Sequence, residues 1–278
     1  MVDEVYHRKA TPEWHGKAWL AAALLAVALL LIGTPVALFV WGIPWLAGQI
    51  ANTVPIEWER TLGEQALSAL APPEQRCRPS SELESLARRL QAAEPACPYS
   101  MDVRLVNTPL ANAFAAPGGV VVVHAGLLEK IHSPDELAAV LAHEFQHVLR
   151  RHSTRALFRG LAWTSLAWFV LGDTSGLLAY ATDSLGSLKY QRGDEEEADL
   201  RGAELMRRAA IDPRAMLSML ESLQSEAEIP GFLSSHPAAR ERIRLLRAHI
   251  ASAEAPFRPA LTADQWNRVR TSCRPAAP

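Results

Sequence analysis

Residues 143 to 147 read His143-Glu144-Phe145-Gln146-His147, two imidazoles four positions apart with a carboxylate beside the first. In a helix, positions i and i+4 share one face and lie about 6 Å apart along the axis, so both rings can reach a single metal ion. Glu144 then sits beside the ion's open position, where a carboxylate can take a proton from water. This spacing offers metal-assisted hydrolysis. It requires a helix to carry the run and a third ligand brought in from another helix.

The helix start is written just upstream. Ser133-Pro134-Asp135-Glu136 combines a capping serine, proline at the first helical position and glutamate three residues after the cap. Leu137, Val140, Leu141 and Val148 recur at helical spacing, which places the His pair near the middle of the element. Arg150, Arg151 and His152 fall in the expected last turn, where the helix dipole favours cations.

The dense acidic cluster downstream is Asp194-Glu195-Glu196-Glu197-Ala198-Asp199. Taken alone, such a run reads as a solvated helix start. Helical phase separates its members: Ala198, Gly202, Leu205, Met206 and Ala209 form an inward stripe that Glu195 extends by one turn, while Glu196 and Glu197 point away. Gly202 would let this helix approach another closely. Asp199, four after Glu195, is placed to accept the second ring N–H of a ligating histidine and fix its tautomer.

Further stretches complete a pattern: Asn112-Ala113-Phe114-Ala115 with Gly118-Gly119, Glu136-Leu137-Ala138 leading into the His pair, Arg192 with Glu195 and Ala198-Asp199, and His236-Pro237 with Arg242-Ile243. In this order, over roughly residues 55 to 250, the chain resembles the zinc metallopeptidase family that includes HtpX, BepA and the CAAX prenyl endopeptidases. The resemblance implies one zinc ion per chain held by His143, His147 and Glu195, with Glu144 as general base. It also implies that Asp199 orients a ligand, that Arg192 supports the acidic motif, and that Asn112, Ala113 and Phe114 meet the substrate. Where the family usually has serine before that arginine, this chain has Gln191. His236, before a proline at the start of an amphipathic helix, reads from sequence alone as a surface cap. The resemblance moves it to the active site, on the metal's open position or against the developing oxyanion. Arg242 could anchor that segment by pairing with an acid.

The remaining candidates are weaker. His124 ends a strand, His132 precedes the helix cap and His152 follows the motif, so each reads as a surface or hydrogen-bonded residue. There is no phosphate-binding glycine loop and no G-x-S-x-G elbow. A net charge of -2, from 28 basic and 30 acidic residues, gives no electrostatic case for nucleic acid.

From Ala18 to Ile56 no residue is charged, and the 18–41 stretch is long enough to cross a bilayer as one transmembrane helix. Trp19, Trp41 and Trp45 suit the two interfaces. The run exceeds a signal-peptide core and no small-x-small cleavage site follows, which favours a retained anchor over a cleaved signal. Arg8, Lys9 and Lys17 precede the span and Arg60 is the first basic residue after it. The positive-inside rule therefore puts a tail of residues 1–17 in the cytoplasm and the bulk of the chain in the periplasm of a bacterial inner membrane. Cys77 and Cys97 flank a short helix capped by Ser80 or Ser81, so a disulfide between them is one reading, with Cys273 left over; three free thiols is the other.

The expected fold is α+β and mainly helical, a zincin-like domain over residues 55–250 with a small β-sheet and an active-site helix. Strands are expected at Val103 to Val106, Ala113 to Ala116 and Val120 to His124, with Pro117-Gly118-Gly119 as a turn. A strand edge beside the metal would hold an extended peptide by backbone pairing. Two apolar arms, Leu161 to Leu171 and Leu177 to Leu188, are each too short to span a bilayer and read as a helical hairpin. Residues 251–278 form an Ala/Pro-rich tail with a short helix from Thr262 to Arg270. The function expected is a membrane-anchored endopeptidase acting on extended or misfolded envelope proteins. A different class also fits: a zinc-stabilised, membrane-tethered chaperone or assembly factor that rarely cuts.

Overall fold

The computed structural model describes residues 14–171, 190–224, 236, 239–251 and 256–273. Arg8, Lys9, Pro237, the second arm of the expected hairpin and the last residues of the tail lie outside this set. The described chain is mostly helical with one three-stranded sheet.

Residues 14–53 form a continuous helix, α1, in which α-helical turns at Trp14–Ala28, Thr34–Ala37 and Ile43–Thr53 alternate with π-turns at Leu29–Gly33 and Leu38–Gly42. Its Ala18–Thr53 part is long and apolar enough to cross a membrane by length and composition, and Trp19, Trp41 and Trp45 are exposed. Residues 1–46 and 47–278 are separate compact units. In the second unit the end of α1 carries the buried residues Ala47 and Ala51.

The larger unit is built around β1 (Asp102–Val106), β2 (Ala113–Ala115) and β3 (Val120–His124), in the order β1-β3-β2. β1 runs parallel and β2 antiparallel to the central β3, with Val103 opposite Val121 and Phe114 opposite Val122. β3 is a run of four valines because both of its faces are covered. Val121, Val123, Ala113 and Ala115 pack on α4 (Pro134–Leu149), against a core that includes Leu137, Leu141 and Phe145. Their alternates Val120, Val122 and Phe114 pack on Ala66 and Leu67 of α2 (Ile56–Leu70). At Gly63 a Cβ would lie 2.1 Å from Pro117 O, so only glycine lets α2 seat on the β2–β3 turn.

α3 (Ser81–Ala92) is capped by Ser80, whose Oγ accepts from Leu83 N–H at 3.3 Å. α4 starts as expected, with Ser133 Oγ accepting from Glu136 N–H at 3.1 Å. It ends at Leu149, earlier than Arg150 to His152 suggest. Arg151 adopts a φ of 54° and turns the chain, so His152 begins a new helix, α5 (His152–Leu171). The Arg151 guanidinium donates to Ala51 O and Val54 O at 2.8 and 2.9 Å, satisfying carbonyls at the end of α1. α6 (Arg192–Arg208), α7 (Ala215–Gln224), α8 (Ala239–Ile250) and α9 (Ala263–Thr271) complete the described chain. Thr262 and Gln265 form a reciprocal cap at the start of α9.

The disulfide joins Cys77 to Cys273, not Cys77 to Cys97. A helix of 12 residues separates Cys77 from Cys97. Its length of about 18 Å holds those two thiols apart. α9 packs on α3 and delivers Cys273 instead. Cys97 is free, and its thiol meets Tyr99 O at 3.2 Å.

Candidate metal centre

α4 and α6 pack against each other with His143, Glu144, His147 and Glu195 in the interface, each fully excluded from solvent. Gly202 permits the close approach: a Cβ there would lie 3.3 Å from both Ala142 C and His143 N. The Nε2 atoms of His143 and His147 are 3.0 Å apart. The carboxylate of Glu195 lies 3.7 Å from the first and 3.4 Å from the second. His236, also fully buried, directs Nδ1 into the same space, 3.3 Å from His143 Nε2 and 3.0 Å from Glu195 Oε1.

All four donor atoms lie within 4.8 Å of one another. Ligands about 2.0–2.1 Å from a tetrahedral centre are about 3.4 Å apart, so the observed spacings fit one small divalent cation. Three imidazoles and a carboxylate form an N/O donor set able to bind such a metal.

The outer contacts fix the rings. His143 Nδ1–H donates to Asp199 Oδ1 at 2.9 Å, which leaves Nε2 as the lone-pair nitrogen. Arg242 is buried and forks onto Asp199, Nε to Oδ2 at 2.6 Å and Nη2 to Oδ1 at 2.8 Å. Its Nη1 reaches Glu195 Oε2 at 2.7 Å and donates to His236 O at 3.1 Å. Burial pushes the Asp199 carboxyl up, but Arg242 and His143 outweigh it and hold the group well below the usual range. Glu195 is lowered in the same way by His236, His143 and Arg242 against burial. Burial pushes Glu144 up, His236 and His143 oppose that, and the Ala115 backbone N–H also favours the charged form. Neither Glu144 oxygen has a side-chain hydrogen bond among the described residues; His236 Nε2 stands 3.5 Å from Oε1.

The other residues singled out in the sequence divide. Arg192 is exposed on the first turn of α6; Asp194 of that turn is served by Arg155 at 2.9 Å and by Arg159 at 3.5 Å. In place of the family's serine, Gln191 donates its backbone N–H to Asp194. Asn112, Ala113 and Phe114 are buried on the β2 edge beside α4. Pairing of Asn112 with His124 and Ala116 with Val120 directs the backbone of Ala113 and Ala115 outward, away from β3. Ala113 N–H donates to Asn112 Oδ1 at 3.0 Å, and Ala115 O accepts from Tyr190 at 3.2 Å.

Tyr190 and His152 belong to the site although their surroundings in the sequence do not single them out. The Tyr190 ring stacks on His147 with centroids 3.8 Å apart. His152 is fully buried, its Nδ1 3.0 Å from Nδ1 of His147 and its Nε2 facing Glu197 and Asp194 at 3.4 and 3.6 Å.

The model of peptidase family M48 matches residues 74–250 of the chain. The chain is 31% identical over 201 residues to the beta-barrel assembly-enhancing protease of Yersinia pestis, covering 63% of this chain and 41% of that one. The match to its Escherichia coli namesake is 30% over 178 residues, 58% and 37% of the two chains. The mitochondrial metalloendopeptidase OMA1 of Schizosaccharomyces pombe is 32% identical over 174 residues, 60% of this chain and 52% of that one. The chain thus spans about half, or less, of the length of these relatives.

Proposed function

Because the chain belongs to peptidase family M48, we propose that it is a zinc-dependent endopeptidase whose metal is held by His143, His147 and Glu195. The observation that carries the reading is the gathering of these donors within 4.8 Å, fully buried, with the Glu144 carboxylate alongside. A zinc ion bound there supplies Lewis acidity, lowering the pKa of a water and polarising a scissile carbonyl.

The protein's own groups do the rest. Glu144 takes the proton from the attacking water and passes it to the leaving amine, a shuttle suited to a carboxyl that burial raises above its usual value. Asp199, gripped by Arg242, holds His143 in the tautomer that presents Nε2; His152 does the same for His147. The outward backbone of Ala113 and Ala115 pairs with an extended substrate once Tyr190 and Asn112 release it. Arg192, exposed, is assigned no part in this scheme.

His236, with Nδ1 3.3 Å from His143 Nε2 and 3.0 Å from Glu195 Oε1, would take the position that water and substrate need once a metal is bound. We take this as a resting state, with Arg242 holding the His236 carbonyl in place. Full burial of Glu144 also suits the second reading, a client-binding factor with little proteolysis. The retained helix anchors the domain, with the basic residues Arg8, Lys9 and Lys17 on the cytoplasmic side. The Cys77–Cys273 disulfide favours an oxidising compartment for the rest, as in the periplasm. Extended or misfolded envelope proteins are the proposed substrates.

Digestion of an unfolded protein with and without chelator tests this. Glu144→Gln is expected to keep stoichiometric zinc and lose cleavage; normal cleavage by that variant refutes the role of Glu144. Cleavage released by His236→Ala supports the resting-state peptidase, whereas continued inactivity with zinc bound favours the binding factor.

A further inference from the structure

β1 forms the edge of the sheet opposite β2. Its residues alternate between facing β3 and facing outward, and the bond from Cys77 N–H to Leu105 O at 2.9 Å assigns Leu105, and with it Val103, to the outward set. Asn107 N–H donates to Gln75 O at 2.7 Å, so residues 75–77 act as a short partner strand. Pro79 stops that pairing because it has no N–H to continue it. Towards the other end a side chain imitates a peptide unit: Gln91 Nε2 donates to Tyr99 O at 3.0 Å, and its Oε1 accepts from Met101 N–H at 3.3 Å.

Between these two covers the outward N–H and C=O of Val103 and the N–H of Leu105 have no hydrogen-bond partner among the described residues. Proteins ordinarily cover or charge such an edge. Here it opens into a cavity of about 470 Å³ between β1 and α3. Four arginines, Arg76, Arg78, Arg88 and Arg104, line it against two acids, Glu84 and Asp102. Arg88 and Arg104 already engage those acids, at 3.5 and 2.7 Å, leaving a basic surplus. Arg78 is exposed and has no ion-pair partner among the described residues.

We propose that this groove binds an extended acidic peptide segment, which adds to β1 by backbone pairing at Val103 and places a carboxylate against Arg78 and Arg76. Pairing at the edge is indifferent to sequence, and the arginine surplus selects for acids. The site is distinct from the metal centre, and it holds whether or not the chain cuts peptides.

The test measures binding rather than cleavage, on the full chain in detergent micelles carrying Glu144→Gln. Fluorescence anisotropy is read with a short labelled peptide of alternating Glu and Val, and with its Lys and Val counterpart. The acidic peptide is expected to bind at least about tenfold more tightly than the basic one, and to weaken about tenfold on Val103→Pro and on Arg78→Glu, each of which removes interactions on the order of one or two hydrogen bonds. Equal affinity for the two peptides overturns the proposal. So does acidic-peptide binding that neither substitution weakens, which would place the peptide elsewhere, the metal cleft included. Arg78 is exposed, so its reversal carries the test even where the proline variant does not fold.

Discussion

The Nδ1 atoms of His147 and His152 lie 3.0 Å apart, with both rings sealed from solvent. Two ring nitrogens at that distance share one proton, so one must be the acceptor. Burial lowers His152 to about 4, with Asp194 opposing and Arg155 adding to the effect, so its ring is neutral; its Nε2 faces Glu197 and Asp194 and keeps the one ring proton there, which leaves Nδ1 as the acceptor. The His147 Nδ1–H then donates and its Nε2 lone pair faces the other metal donors. His152→Ala removes the acceptor, and metal affinity is expected to fall about 10–100-fold. Chelator competition on the purified protein measures this without reference to activity. His152→Asn, which restores an acceptor, should recover part of the loss; equal affinity in all three proteins would remove His152 from the site.

Arg242 satisfies two buried carboxylates and a carbonyl at once. Removing it strands Glu195 and Asp199 as uncompensated charges, so Arg242→Ala should cost about 3–5 kcal/mol in urea denaturation of the metal-free protein. Arg242→Lys keeps the charge but not the fork, and should recover only a minor part. A lysine variant as stable as the parent would show that charge alone, without the bidentate geometry, is what the site requires.

The parts of this arrangement that follow local periodicity were legible in the sequence. Ser133 caps its helix, β3 is the expected valine run, and helical phase picks Glu195 from its acidic neighbours. The phase argument fails at His152 because Arg151, at a φ of 54°, breaks the helix just before it and re-aims the next residue inward. Arg242 reads as the partner of one acid, and its double duty depends on α6 and α8 packing together. Tyr190 lies outside any apolar repeat, and its stacking on His147 comes from its place two residues before α6. Neither cysteine reading of the sequence contains the Cys77–Cys273 pair, because these residues are far apart in the chain and meet only where α9 packs on α3.

That disulfide closes a loop with a sequence separation of 196 residues and pins the C-terminal helix to the region before α3. Cross-linking so long a loop constrains the unfolded chain, and its loss should cost about 2–5 kcal/mol. A reducing agent is expected to lower the thermal midpoint of the parent but not that of Cys273→Ser, which starts low. Thiol titration of the unreduced, denatured parent should find one free thiol, Cys97. Three free thiols, or a midpoint indifferent to reductant, would contradict the pairing.

His124, at the end of β3, lies outside the metal centre and supplies a pH dependence of its own. Its Nδ1 meets Thr108 Oγ1 at 2.5 Å, and burial lowers the ring to about 4. The unfolded chain takes up this proton near its ordinary value of about 6.5, whereas the folded chain resists it until about 4. Below about 6.5 the unfolded state therefore binds more protons, and stability falls as the pH drops through that window, by up to about 3 kcal/mol. Glu195 and Asp199, whose folded values are depressed, lose their stabilisation at lower pH still, whereas His152, also lowered to about 4, titrates in the same window, so the share of His124 is read as a difference between parent and variant. His124→Gln keeps a polar side chain without the titration, and its stability curve should be flatter than the parent's between about pH 4.5 and 6.5. Urea midpoints measured across that range decide it, since parallel curves would mean that His124 titrates alike in both states.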